Sequence, residues 1–310
     1  MADAYTQVSS LSNLVQTAYD KMVESQNRHA VVLRTLPDKT VADPTSAGSS
    51  YTLQKYNDLA VSSAELTELV DPDAVAVPQT TTLNVAYREF GRVVFRSHKL
   101  DLTSMTMVDP IIVDVLARDQ AISLDNEIGT ILYAGTNVTY GGTGNAATAD
   151  VAAGDNISAS LVRQIRTLLR NRAASPRRGE LYWCGIHPNV AYDLRSETGA
   201  GAWRDDHKYA APDLFWPGEL GVYEGVFFQE SARMKNATDG TASAVVYRTL
   251  FAGRQALAEV VWEEPRTVIA EIPVDKLQRH RPFGWRGALN WAIYRQENLQ
   301  RLETTATLAP

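Results

Sequence analysis

Cys184 and His187 stand at a spacing that suits two ligands of one metal ion. The pair lacks partners: Cys184 is the single cysteine of the chain, which rules out an intrachain disulfide and a cysteine-rich zinc site. It sits in the apolar run 181–186, which predicts a buried structural thiol rather than a nucleophile. His187, just before Pro188, reads as the opening of a helix. Asp205, Asp206 and His207 are ligand types in a row, but adjacent side chains converge poorly on one ion. Gly141-Gly142-Thr143-Gly144 lacks the Lys-Ser/Thr of a phosphate-binding loop. Gly199-Ala200-Gly201 lacks the third glycine and the preceding strand of a dinucleotide site. Neither G-x-S-x-G nor H-E-x-x-H occurs. Glu263 and Glu264 point to opposite faces if they lie on a strand, whereas glycoside hydrolysis needs two carboxylates facing across a cleft. The residues therefore predict no catalytic centre, no cofactor site and no metal site.

Charge is arranged more informatively. Glu65, Glu68, Asp71 and Asp73 form an acidic cluster. Two basic groups oppose it: Arg163, Arg166 and Arg170, continuing to Arg172, Arg177 and Arg178, and then Lys276, Arg279, His280, Arg281 and Arg286. We expect the acidic cluster to dock on a basic patch of a neighbouring subunit, a contact that sets register more than affinity. The plain alternative is a set of solvated charged faces worth little. Over the whole chain, 30 basic residues face 36 acidic ones, giving a net charge of -6. Gripping nucleic acid needs an excess of Lys and Arg to release counterions, so that is not the main task.

The elements that must position these groups follow from periodicity. Apolar residues at Leu11, Leu14, Val15, Ala18, Tyr19, Met22 and Val23 predict an amphipathic helix near the N-terminus. Residues 29–36 read as a short strand. Residues 51–56 and 80–97 read as two strands of a long arm whose acidic tip spans 57–79. An isolated hairpin is marginal in water, so such an arm needs a surface to lie on. Asp109-Pro110 opens a long helix that stops near Gly135. The Gly-rich stretch 141–154 reads as a flexible loop, and Asn156 opens a second helix with one arginine face. Strands are expected at 180–186, 225–230, 244–251, 266–272 and 285–294, with short helices after Pro188 and at 254–259. The mixture is α+β. Its 310 residues suffice for one large domain or two joined ones. No secretory leader or membrane span is visible, and the lone cysteine suits a reducing compartment.

One long segment carries a resemblance. Ile186-His187-Pro188, Tyr192-Asp193-Leu194, Trp203, Gly218-Glu219-Leu220-Gly221 and Gly225-Val226-Phe227-Phe228 occur in an order similar to that of tailed-bacteriophage major capsid proteins. The runs LYAGTNV at 132–138 and TLFAGRQA at 249–256 resemble the same family, as do Gln278, Arg279, Gly284, Trp285 and Ala288. The resemblance covers most of residues 80–305.

It implies the Hong Kong 97-type fold: an N-terminal arm at 1–50, an extended hairpin loop at 51–97 and a peripheral domain at 98–155 and 265–310. The spine helix would span 109–135 and an axial domain 156–264. It further implies an icosahedral head built of hexamers and pentamers around double-stranded DNA, assembled in the host cytoplasm without a membrane. Partners would be a portal, a decoration protein and, since no long coiled-coil extension precedes the arm, a separate scaffolding protein. Lys55 and Asn57 lie on the hairpin, but nothing in the sequence predicts that they cross-link. Two readings stay open beside it: the shell of a bacterial nanocompartment with the same fold, and a soluble α+β hydrolase whose site forms only in three dimensions.

Overall fold

The computed structural model describes residues 32–41, 48–56, 59–62, 65–66, 68, 71, 74–78, 80–104, 108–198, 219–269 and 279–308. The helix expected at 11–23, and with it Asp73, Asp205, Asp206, His207 and Lys276, lie outside them.

In chain order the elements are β1 (Asp38–Val41), β2 (Ser50–Lys55), β3 (Thr81–Ala86), β4 (Glu89–Ser97), α1 (His98–Thr103), α2 (Val108–Tyr133), β5 (Val138–Tyr140), α3 (Ala159–Asn171), β6 (Tyr182–Ile186), α4 (Pro188–Ser196), β7 (Glu219–Tyr223), β8 (Val226–Glu230), β9 (Asn236–Ala237), β10 (Val246–Ala252), β11 (Leu257–Ile269), β12 (His280–Ile293) and β13 (Leu299–Thr304). A four-stranded sheet runs β1-β11-β12-β4, and a seven-stranded sheet runs β5-β13-β10-β6-β8-β7 with β9 beside β10. β2 and β3 pair only with each other.

The long helix α2 extends about 39 Å at 1.5 Å per residue. It buries Leu116, Leu124, Ile128 and Leu132, which recur on one face, against the four-stranded sheet. Its end is closed by Gly135, whose N–H donates to the Leu132 carbonyl (3.1 Å). α3 begins at Ala159, after Ser158, whose hydroxyl accepts from the Leu161 N–H at 3.4 Å. Asn156, expected to open this helix, instead bridges to Thr305. α4 starts as expected, with His187 at its N-cap and Pro188 at the first helical position.

Four expectations are corrected. Residues 33–35 form a 3-10 turn and not a strand, because the Leu33 N–H bonds the carboxylate of Asp125 on α2 (2.9 Å). The strand 80–97 breaks at Tyr87 and Arg88. β3 continues the arm, while β4 leaves it to pair with β12 from Ser97↔His280 to Glu89↔Ala288. The helix expected at 254–259 is a tight turn at Arg254 and Gln255, the latter at φ 58, entering β11. The stretch 141–154 is tied down: Asn145 donates to the Gly141 carbonyl (2.6 Å) and to Asp155 (2.8 Å), and Asp150 accepts from the Ala147 N–H (2.9 Å).

Sheet membership also crosses the expected domain boundaries. β5 and β13 come from the segments assigned to the peripheral domain, yet they pair within the seven-stranded sheet. β11 begins inside the segment assigned to the axial domain and pairs with β12 in the other sheet. Its register shifts on both sides of Glu263, near Pro265, which cannot donate to the ladder.

Candidate assembly surfaces

The arm is anchored at its base and open beyond it. Val85 is buried on Val260, with Tyr51, Leu53, Trp262 and Ala292 around them. Asn290 Nδ2 donates to the Ala86 carbonyl (2.8 Å), and the Tyr294 hydroxyl donates to the Gln54 carbonyl (3.0 Å). Lys55 Nζ pairs with Glu297 Oε1 at 3.4 Å. A hydrogen bond from its own backbone N–H, aided by Lys55, holds the Glu297 carboxyl below the usual range. Past Lys55, as far as Val77, the described residues are open to solvent. Tyr56, Leu59, Val61, Leu66, Val75 and Val77 are all exposed, Val61 to 95% and Leu66 to 75%. Glu65, Glu68 and Asp71 are exposed among them.

The body also exposes apolar side chains. Val93 and Phe95 of β4, Leu102 of α1, and Ile111 and Val115 of α2 are exposed.

The expected basic counterparts are divided between the two sheets and partly neutralised. Arg163 and Arg166 of α3 share Glu224 at 3.4 and 3.5 Å. Arg170 is exposed on the same helix. Arg286 of β12 and Arg266 of β11 share Glu263 at 3.3 and 2.9 Å. The Arg281 guanidinium lies over the Phe283 ring (5.8 Å), and Arg279 is exposed, its carbonyl accepting from the His98 N–H (2.7 Å). The pairing with Glu224 and Glu263 was not legible in the sequence, because a turn and a cross-strand neighbour create it.

Of the residues whose types suggested chemistry, Cys184 is fully buried, and burial pushes its thiol well above the ordinary range. His187 Nδ1 accepts from the Asn189 N–H at 3.2 Å, and its ring packs on Tyr247. Among the described residues no group of His, Cys, Asp and Glu could hold a metal ion, and no helix is long and apolar enough to cross a membrane.

The family described as phage capsid protein matches residues 123–274, from the middle of α2 past β11. A comparison with curated proteins gives no match. Among solved structures, the capsid of cyanophage Pam1 superposes with a TM-score of 0.74 at 15% identity, covering 100% of both chains. The capsid of Ralstonia phage GP4 gives 0.72 at 14% identity, again over 100% of both. The head of Helicobacter pylori bacteriophage KHP40 gives 0.65 at 14% identity over 98% of each. At such identities the likeness shows the fold, and the family match adds the kinship in sequence. The chain has the Hong Kong 97-type fold of phage capsid proteins, and its residues 123–274 match the family described as phage capsid protein.

Proposed function

We propose that this chain is the major coat subunit of a tailed-phage head, closing as hexamers and pentamers into an icosahedral shell around double-stranded DNA. The observation that carries this reading is the arm: its base is seated on its own body, while its outer half presents apolar residues to solvent in the single chain. Exposed apolar side chains at that density are costly for a monomer and useful to a subunit that is always surrounded by copies of itself. The body supplies a rigid frame, and the arm adapts to local geometry at hexamers and pentamers. The chain thus contributes surface rather than chemistry.

The net charge of -6 favours a wall that does not hold its contents by adhesion. The peripheral domain would comprise α2 with the four-stranded sheet, and the axial domain the seven-stranded sheet with α3 and α4. A scaffolding protein, a portal and a decoration protein would complete the particle, assembled in the host cytoplasm.

The test is negative-stain electron microscopy with light-scattering mass on the purified chain, alone and co-produced with its neighbouring genes. Closed shells or hexamer-sized rings are expected. A monomer under every condition would overturn the reading.

A further inference from the structure

The loop between β8 and β9 turns on a buried anchor. Met234 is 3% exposed, its N–H donates to the Ser231 carbonyl (3.2 Å), and the Arg233 N–H donates to the Ser231 hydroxyl (3.2 Å). Arg233 and Lys235, one on each side of this anchor, are exposed. With the facing turns of α2 they line a cavity of about 520 Å³. The Lys235 ammonium stands over the Tyr133 ring, 5.8 Å from its centroid, and the Lys235 N–H donates to the Tyr133 hydroxyl (2.9 Å). Lys235 is thus held to α2 by backbone and side chain alike. Among the described residues neither cation is in an ion pair. Asp125 is the one carboxylate among the described residues of the lining. It is 2% exposed, and its Oδ1 already accepts from the Leu33 N–H (2.9 Å). Asn126 and Asn236 add amide groups that can donate, while Thr130 spends its hydroxyl hydrogen on the Asn126 carbonyl (3.0 Å).

We propose that this cavity binds a phosphate group, with Arg233 and Lys235 as its cationic contacts and Asn126 and Asn236 as neutral donors. A carboxylate is satisfied by a single guanidinium fork. Phosphate oxygens point in tetrahedral directions and take donors converging from several sides, as the loop and α2 provide here. The phosphate is either the free ion or part of a nucleic-acid backbone, and only the second source rests on the shell reading. One such contact on each subunit does not make the wall adhesive, since the chain as a whole stays at -6.

The test is calorimetric titration of the full-length subunit before assembly, with inorganic phosphate and separately with a short DNA duplex, at low ionic strength. Phosphate should bind once per chain. R233A/K235A alters only exposed side chains and should weaken that binding by roughly tenfold or more while the chain melts as before. R195A removes another exposed cation, on α4, and should leave binding unchanged. No phosphate binding by the parent, binding that survives R233A/K235A, or an equal loss in R195A would overturn the inference and leave the shell reading standing. A duplex that competes with phosphate, and is itself weakened by R233A/K235A, would identify the source as nucleic acid; phosphate binding without competition would identify it as the free ion. If the unmodified chain forms neither shells nor rings, the shell reading falls while phosphate binding by the subunit stands.

Discussion

A carboxyl group cut off from water must be either neutral or matched by cations, and this chain uses both solutions. Asp125 is buried on α2, where its Oδ1 accepts from the Leu33 N–H (2.9 Å). Burial raises its pKa, against the lowering effect of that hydrogen bond and of Arg233. The folded state thus holds the proton more tightly than the unfolded chain does. The resulting stability is present in full below the ordinary aspartate range and is lost as pH rises through the folded pKa. Asp125→Asn keeps an oxygen for the Leu33 N–H and cannot ionise. Its advantage over the parent in urea midpoint should therefore grow from acid toward neutral pH, and parallel pH profiles would show that Asp125 is matched after all.

Glu303 takes the other course. Fully buried, it accepts from the Thr148 hydroxyl (2.6 Å) and from Arg248 Nε (3.3 Å), and Arg301 Nε lies 2.8 Å away, outside hydrogen-bond alignment. Glu303→Ala takes the buried carboxylate from Arg301 and from Arg248, which keeps Asp239, and should cost about 3 kcal/mol in denaturant unfolding of the free subunit.

At the scale of elements, the arm separates into a part that belongs to the subunit and a part that does not. Val85, Tyr51, Leu53, Asn290 and Tyr294 hold β2 and β3 to the body, whereas the described residues from Tyr56 to Val77 are exposed. Replacing 57–79 by a Gly-Ser linker should leave the unfolding free energy within about 1 kcal/mol of the parent, since surface changes away from packed features rarely exceed that. Shells should no longer form. A large loss of stability in the free subunit would mean that the arm serves its own chain.

Which elements were legible in the sequence follows the same division. α2 and α4 announce themselves because caps and periodicity are local: His187-Pro188 at one start and Gly135 after one end. The break between β3 and β4 was not legible, because 80–97 is an unbroken β-forming run and the parting is imposed by β12. The turn at 33–35 was missed for a similar reason: its partner Asp125 is 92 residues away. Exposure of the acidic tip was readable from composition, whereas the pairing of Arg163, Arg166 and Arg286 depended on the placement of Glu224 and Glu263.

For the whole molecule, the question is whether the two sheets can come apart. The core around α2 draws on Leu257, Phe283, Trp285 and Trp291 from the four-stranded sheet and on Trp183, Phe227, Leu250 and Leu299 from the seven-stranded one. The other face of the seven-stranded sheet packs on α3 and α4 through Tyr182, Ile186, Tyr247, Phe251 and Leu302. Strands β6, β10 and β13 therefore send alternate side chains into both cores. Polar links add to this: Arg301 of β13 donates to the carbonyls of Tyr133 and Gly135, closing the end of α2. The Tyr133 hydroxyl, pushed up to about 12 by burial, stays neutral and accepts from the Lys235 N–H (2.9 Å). Neither sheet can be lost without opening the core it shares with the other. Chains of this length often unfold in stages, so the expectation is a discriminating one. The unassembled subunit should unfold in urea in a single transition, with tryptophan fluorescence and far-ultraviolet circular dichroism superimposing. Leu124→Ala and Leu302→Ala, one in each core, should each cost about 2–5 kcal/mol and move that one midpoint. Two resolved transitions, with Leu124→Ala shifting only one of them, would show that the halves fold independently and that the rigid body on which the arm depends is assembled only in the shell.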